Sequence, residues 1–495
     1  MRMSDLLTIV VFLPLLGAVV TALLPKSRAG AARWIALSTS VLGLALTGWI
    51  VAAFDRASGA VQFVTDVAWV PQAGLHYHLG VDGISITMLA LASVLGLVAV
   101  IASWKVIDRA PAYFAMLLLL QAGMNGVFVA LDFVLFYVFW ELVLVPMFFL
   151  IGMWGGARRE YASIKFFIYT LAGSVFMIVG MIALYLTAGT FDMVELARIG
   201  ASGAFGIGFQ NWVFLAFFLG FAVKVPIWPL HTWLPDAHVE APTAASVLLA
   251  GVLLKMGAYG FIRISLPMLP GASHAWAPWI GVLAAISIIY GAAVAFAQTD
   301  LKKLVAYSSV SHMGFVMLGI FSLTATGVDG AVAVMFSHGV VTGMLFLIVG
   351  MVYERSHTRE IARIGGLSVA TPVIGGLLAF ASFASLGLPG LSGFVGEFLS
   401  LVGAWQSAVI PHWITALSAA GVLLAAAYML WMVLRVVLGT PSEVVLGLPD
   451  ISGREVATLA PLIALTLVVG MWWSSLLGFV DPAVKALVAL VGGAA

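Results

Sequence analysis

The feature that most constrains this chain is the succession of apolar stretches, each roughly twenty residues long, separated by short polar or Pro/Gly-rich punctuation. A hydrocarbon core about 30 Å thick needs about 20 apolar residues per helical crossing. The stretches near 5–24, 33–54, 82–104, 111–130, 132–153, 163–189, 209–230, 242–266, 275–297, 303–323, 329–353, 371–400, 409–437 and 456–479 meet that length. They predict an all-α polytopic membrane protein with fourteen spans. The first stretch lacks a small-residue cleavage pattern and reads as an uncleaved span. A short apolar tail, PAVKALVAL, follows the last one. No connecting loop is long enough for a separate soluble domain, the longest being that between spans 2 and 3.

Composition excludes several functions. The chain is 63% hydrophobic and 9% charged, and its net charge of +1 offers no basic face for nucleic acid. It has no cysteine, so thiolate-held iron–sulfur clusters are excluded from it. No G-x-x-x-x-G-K-[ST] phosphate cradle occurs, and the Gly-rich run Gly203–Phe209 lacks dinucleotide-binding spacing and reads as a loop. Asp236, His238 and Glu240 superficially resemble a metal cluster, but a polar loop at the membrane surface accounts for them better. No metal or cofactor is expected in this chain.

Cations give direction. Fifteen Lys/Arg, including Lys302, Lys303, Arg355 and Arg359, fall in loops after odd-numbered spans, against five (Arg2, Arg56, Arg198, Arg263, Lys485) on the opposite side. That bias puts the odd loops in the cytoplasm or its equivalent and both termini on the outer side.

Lys224 and Lys255 remain unexplained by topology, as do Glu141 and Glu397; all four fall within spans. Glu141 lies nine residues into its stretch, about 14 Å deep at 1.5 Å per residue. An ionised group at mid-membrane costs about 2.5–3.5 kcal/mol, so four of them need pairing, water or neutralisation. Such residues usually mark ion paths. A static Glu141–Lys224 ion pair is the structural alternative. His312 and His338 are also mid-span, where a neutral imidazole serves equally as an interhelical hydrogen-bonding group or a relay.

Two spans are interrupted. Pro226 and Pro229 follow Lys224 directly, and Gly387, Pro389, Gly390 and Gly393 precede Glu397. Unwound backbone at membrane depth is tolerated only where protein or a watery cavity satisfies it, and a matched pair of breaks is the mark of repeated transporter halves. Lys224 follows Glu141 by 83 residues and Glu397 follows His312 by 85. The pattern predicts two five-helix units, spans 4–8 and 9–13, inverted because each holds an odd number of helices. The division expected is 1–110 for spans 1–3, 111–270 and 271–440 for the two units, and 441–495 for span 14 with the tail.

Trp140–Glu141, the segment Val223–Thr243 (VKVPIWPLHTWLPDAHVEAPT), Lys255, QTDLKKLVAYSSVSHMG at Gln298–Gly314 and the LGLPG…GFVGEF segment resemble the antiporter-like subunits of respiratory complex I. The resemblance covers nearly the whole chain. Glu397, where L- and N-type members and cation/proton antiporters usually carry lysine, and a chain ending soon after span 14 are the M-type pattern. The resemblance implies proton translocation through Glu141 and Lys224 as a coupled pair, Lys255 as central relay, His312 and His338 as connectors and Glu397 as the far-side group. It implies L- and N-type neighbours, contact with the lateral helix of the L subunit, and NADH, FMN, iron–sulfur clusters and quinone held by partner subunits. A multisubunit cation/proton antiporter, the membrane arm of a hydrogenase, and a membrane scaffold whose buried charges only orient helices are the competing readings.

Overall fold

A computed structural model describes residues 5–492. Arg2, counted above among the even-side cations, lies outside the described residues. Fourteen described helices are long and apolar enough to cross a membrane. Thirteen coincide with expected crossings. The expected twelfth is two shorter helices, Pro372–Ser385 and Ser392–Gln406, and the fourteenth long helix is the tail.

That tail corrects the sequence reading. Residues expected as a short apolar stretch form a 19-residue helix, Ser474–Gly492. It does not run alongside the spans. The carbonyl of its Phe479 abuts Gly83 at the start of span 3 (Gly83–Lys105), and the helix also packs on the start of span 11 (Ala325–Ser356) and the end of span 8 (Thr243–Met268). All three ends lie on the face that receives the even-numbered loops, so the helix lies across that even face. A second correction is the loop between spans 2 and 3, which forms an antiparallel hairpin, β1 (Gln62–Val70) with β2 (Leu75–Val81). The backbone amide of Leu131 donates to His78 O at 2.9 Å, tying β2 to the start of span 5 (Phe133–Trp154).

The two inverted units share local architecture as well as helix order. Asp132 caps span 5 by accepting from the amides of Val134 and Leu135, and Asp300 caps span 10 (Leu301–Phe321) by accepting from those of Lys302 and Lys303. A carboxylate there satisfies amides with no intrahelical partner. Asp132 forms an isolated antiparallel bridge with Asp192, and Asp300 forms one with Glu360. The first bridge lies on the even face and the second on the odd face. The fourth span of each unit is broken, and the fifth of each contains π-helical turns, Leu249–Leu253 and Phe261–Ser265 in span 8 and Val433–Val437 in span 13 (His412–Val437).

The apolar cores of spans 8 and 11 are wholly buried and form the centre of the molecule. Small residues let them meet: Gly251 and Gly339 face each other, and a Cβ on Gly339 would sit 2.8 Å from the carbonyl oxygen of Gly251. Without a hydrophobic gain between helices in lipid, such close approach and interhelical hydrogen bonds supply the association energy.

Candidate functional site

Span 7 (Ile207–Lys224) ends at Lys224, earlier than the sequence pattern suggested, because Pro226 and Pro229 cannot donate. The unwound segment is satisfied from within the protein. Trp233 Nε1 donates to Val223 O at 2.9 Å, and the Trp228 amide donates to Ser287 Oγ at 2.9 Å. The chain then forms a short helix, Trp233–Glu240.

Lys224 is buried, with its Nζ 4.0 Å from the centre of the Trp140 ring and 3.4 Å from Trp140 O. A desolvated ammonium over an indole face gains a cation–π attraction of about 2 kcal/mol. Glu141 is close enough to interact electrostatically with Lys224, yet the two do not close an ion pair within 4.0 Å, so the static pair considered from sequence is not formed. Glu141 is half-buried on the side of span 5 that also carries exposed Val138 and Val145, and its Oε1 is buried without a hydrogen-bond partner.

Lys255, His338, His312 and Glu397, taken from four different spans, come together as one chain of groups. Lys255 Nζ donates to Ala250 O, at the π-helical turn of its own span, and lies 2.7 Å from His338 Nδ1. The rings of His338 and His312 are 5.6 Å apart. His312 Nδ1 lies 2.7 Å from Glu397 Oε1, while its Nε2 faces Ser385 Oγ at 3.2 Å and the Tyr428 hydroxyl at 3.4 Å. A small cavity of about 20 Å³, bounded by His312, His338, Thr342, Ser385 and Glu397, adjoins this row, and a void of that order holds one water. Gly387 (φ +80°) permits the turn over Glu397, where a Cβ would sit 3.3 Å from Oε2.

Lys224 is not hydrogen-bonded to this row. Its span approaches the row at Gly257, two residues past Lys255, where a Cβ would be 2.7 Å from Phe221 O and 2.9 Å from the Val225 amide.

Five residues have surroundings different from those the sequence reading gave them. Asp236, His238 and Glu240 occupy a helix rather than a surface loop. Asp236 pairs with Lys165 at 2.7 Å, and Glu240 accepts from the Arg158 amide at 2.9 Å. His238, 0% exposed, stacks on Phe346 with neither ring nitrogen partnered, and it lies within electrostatic reach of Lys302 and Lys255. Lys302, read as a topology signal, is buried and donates to Ala241 O at 2.6 Å. Arg263, counted as an even-side topology cation at the end of its stretch, is instead paired within the protein: it meets Asp82 at 2.5 Å and donates from Nε to the Tyr259 hydroxyl at 3.0 Å.

Fold and site together define a class: multi-span membrane subunits built from two inverted helical units, with ionisable side chains beside the helix breaks. Residues 130–438 match the family described as NADH:quinone oxidoreductase/Mrp antiporter, transmembrane, and the chain belongs to that family. It is 48% identical to NADH-quinone oxidoreductase subunit M of Rhodobacter capsulatus, over 98% of this chain and 97% of that one. It is 40% identical to NADH-ubiquinone oxidoreductase chain 4 of Marchantia polymorpha, covering 94% and 92% respectively. Among solved structures it is similar to a chain of respiratory complex I from Thermus thermophilus, with TM-score 0.89 and 32% identity over 98% of this chain and 100% of that one. A chain of the Mrp complex from Dietzia sp. shares the fold, with TM-score 0.84 at 22% identity over 99% of both.

Proposed function

We propose that this chain is a proton-translocating membrane-arm subunit of an NADH:quinone oxidoreductase. The observation that carries the reading is the row Lys255–His338–His312–Glu397, contributed by spans 8, 11, 10 and 12 and closed by two contacts of 2.7 Å. Apolar packing alone does not require four ionisable groups in contact at the centre of a membrane protein, and their desolvation opposes it. A proton carried on His338 or His312 has a neighbour on each side able to exchange it.

In this reading Glu141 and Lys224 control access. An opposite charge nearby favours the ammonium form, and removing it favours release. Glu141 borders the outward face of span 5, where an adjacent subunit can alter its charge or position without entering the core. The proton released then passes to Lys255, along the histidines to Glu397, and out on the even face. The odd face is the cytoplasmic one, and both termini lie in the periplasm of a bacterial inner membrane. Moving a charge against the potential requires about 2.3 kcal/mol per 100 mV, and this chain has no redox or nucleotide chemistry of its own to supply it. NADH, FMN, iron–sulfur clusters and quinone therefore belong to partner subunits, with L- and N-type members as neighbours.

Purification of the tagged chain from its native membrane tests this. Recovery with flavin- and iron–sulfur-containing partners, and NADH-driven proton movement in vesicles holding that assembly, is the expected result. Recovery in an assembly free of flavin and iron would assign it to a cation/proton antiporter instead.

A further inference from the structure

On the even face, a cavity of about 570 Å³ lies apart from the row of ionisable groups. Its walls come from three pieces of surface structure: the hairpin, the helix Met193–Ala201 and the tail helix Ser474–Gly492. Its floor is formed by the even-face ends of spans 3 and 8. These pieces are seated tightly around it. Gly59 lies against the Pro482 carbonyl and Gly200 against that of Met268, each too close for a Cβ. Close contacts therefore frame the space, and loose packing does not account for it. Val64 and Val194 line it and are exposed, so it opens to the surroundings.

The lining is chemically divided. Residues such as Ile84, Ile262, Leu487 and Leu490 make most of it apolar, while Arg263 from the floor and Arg198 from one wall bring guanidinium groups to it. Arg263 uses Nε on the Tyr259 hydroxyl and Nη2 on Asp82, and Arg198 uses Nε and Nη2 on Glu195. Neither Nη1 has a hydrogen-bond partner among the described residues. The carboxylates on the lining are already engaged. Asp82 accepts from the Ile84 and Ser85 amides as well as from Arg263, and Glu195 receives Arg198 on both oxygens. The cavity thus offers spare donors on two cations, which suit an anion, beside walls that suit hydrocarbon. A mostly apolar space of about 300–1,000 Å³ with a few convergent polar groups is the usual form of a small-molecule site, and arginine's planar fork matches phosphate oxygens. The depth fits too. Met193–Ala201 buries Met193 and Leu196 and exposes Arg198, and the tail helix lies across the same face, as amphipathic helices do at the headgroup level of a bilayer.

We propose that this cavity holds one membrane phospholipid, its phosphodiester received by Arg198 and Arg263 and an acyl chain packed against the apolar side of the tail helix. The lipid joins the hairpin and the tail helix to the end of span 8, the span that carries Lys255. The inference stands independently of the proton route.

The test uses the assembly recovered from the native membrane and placed in nanodiscs doped with a phosphatidylethanolamine that carries a diazirine in one acyl chain. After irradiation, adducts are mapped by peptide mass spectrometry. Adducts on the peptides of Met193–Ala201 and Ser474–Gly492 are expected, competed by unlabelled phosphatidylethanolamine and not by inorganic phosphate. Arg198→Gln, a change at an exposed side chain, should lower the yield about tenfold at sub-saturating label, the loss of one charge-assisted bond. Ala197→Trp, which fills the space and leaves both arginines, should remove the adducts. A parental yield from either variant marks adventitious bilayer lipid only and overturns the proposal. Displacement by inorganic phosphate, or the absence of adducts from both peptides, overturns it as well. If Ala197→Trp fails to assemble, Ala486→Trp on the tail helix takes its place under the same criterion.

Discussion

The two inverted units carry the same scaffold and opposite kinds of chemistry. Each begins its second helix with a capping aspartate, Asp132 or Asp300, and each joins that aspartate to an acidic residue beyond the third helix. From those caps the ionisable residue comes nine positions later in the first unit (Glu141) and twelve later in the second (His312), almost one turn deeper. In the first unit, Glu141 and the lysine at the break stay out of ion-pair contact, and Glu141 is half-buried near the outward face. In the second, the histidine and the glutamate beyond the break are in direct contact at 2.7 Å, and Glu397 is enclosed. The difference is instructive. A pair held apart responds to charges brought to it from outside, whereas a bonded pair passes on what it receives. On the proposed function, one fold duplicated thus serves once as a control element and once as a fixed relay.

If the second unit is a wired relay, cutting it has the largest effect. His338→Leu removes the one group bridging Lys255 and His312, and proton movement per NADH oxidised in vesicles should fall roughly 10²–10⁴-fold. A fall below tenfold would mean that protons bypass the row. The second unit is also clamped at its odd end: Arg355 donates to both Glu455 oxygens, at 2.8 and 2.7 Å, and Glu455 is buried. Arg355→Ala leaves that carboxylate unpaired and should destabilise the subunit by about 3–5 kcal/mol, read as loss of assembled complex on heating.

The first unit should respond more mildly. Glu141 acts on Lys224 across space, so Glu141→Gln should slow pumping by about tenfold, with quinone reduction slowed in step. An effect as large as that of His338→Leu would erase the distinction between the units.

The smallest effect concerns the even-face bridge of the first unit, where His78 Nδ1 lies 2.7 Å from Asp192 Oδ2. Burial pushes the His78 imidazole down, but the hydrogen bond to Asp192 and the nearby carboxylates outweigh it and raise its pKa. Burial pushes Asp192 up, yet its bonds to His78 and to the Glu195 amide hold it below the usual carboxylate value. The histidine's contribution is complete below its unfolded pKa of about 6.5 and is lost as pH rises past the folded value; that of Asp192 is complete above about 3.9 and is lost as pH falls. The pair is therefore strongest between those limits. Hydrogen-exchange protection of the β2 amides, corrected for intrinsic rates, should be greater at pH 5.5 than at pH 8, and His78→Gln should remove that difference at a cost of about 1 kcal/mol.

Crossing positions and the stranded charges were legible because insertion into lipid imposes length and penalises charge along the sequence itself. Pairings were not. Arg263 reads as a topology cation because its partner Asp82 is 181 residues away, and Lys302 does so because the carbonyl that holds it belongs to Ala241. His238, expected with Asp236 and Glu240 in a polar loop at the membrane surface, lies instead in a buried helix. The hairpin's alternation (QFVTDVAWV, LHYHLGV) is readable as strand, although helical spans flank it on both sides. The tail helix was underestimated because Pro482 and two charges break its apolar run.

The central claim is that ionisable groups beside the two helix breaks carry protons. It is tested most directly at Lys224, the group on which control and relay meet. In vesicles holding the assembled complex, Lys224→Ala should leave the assembly intact and abolish this subunit's share of the protons moved per NADH oxidised. An intact assembly that moves the parental number of protons per NADH would contradict the account.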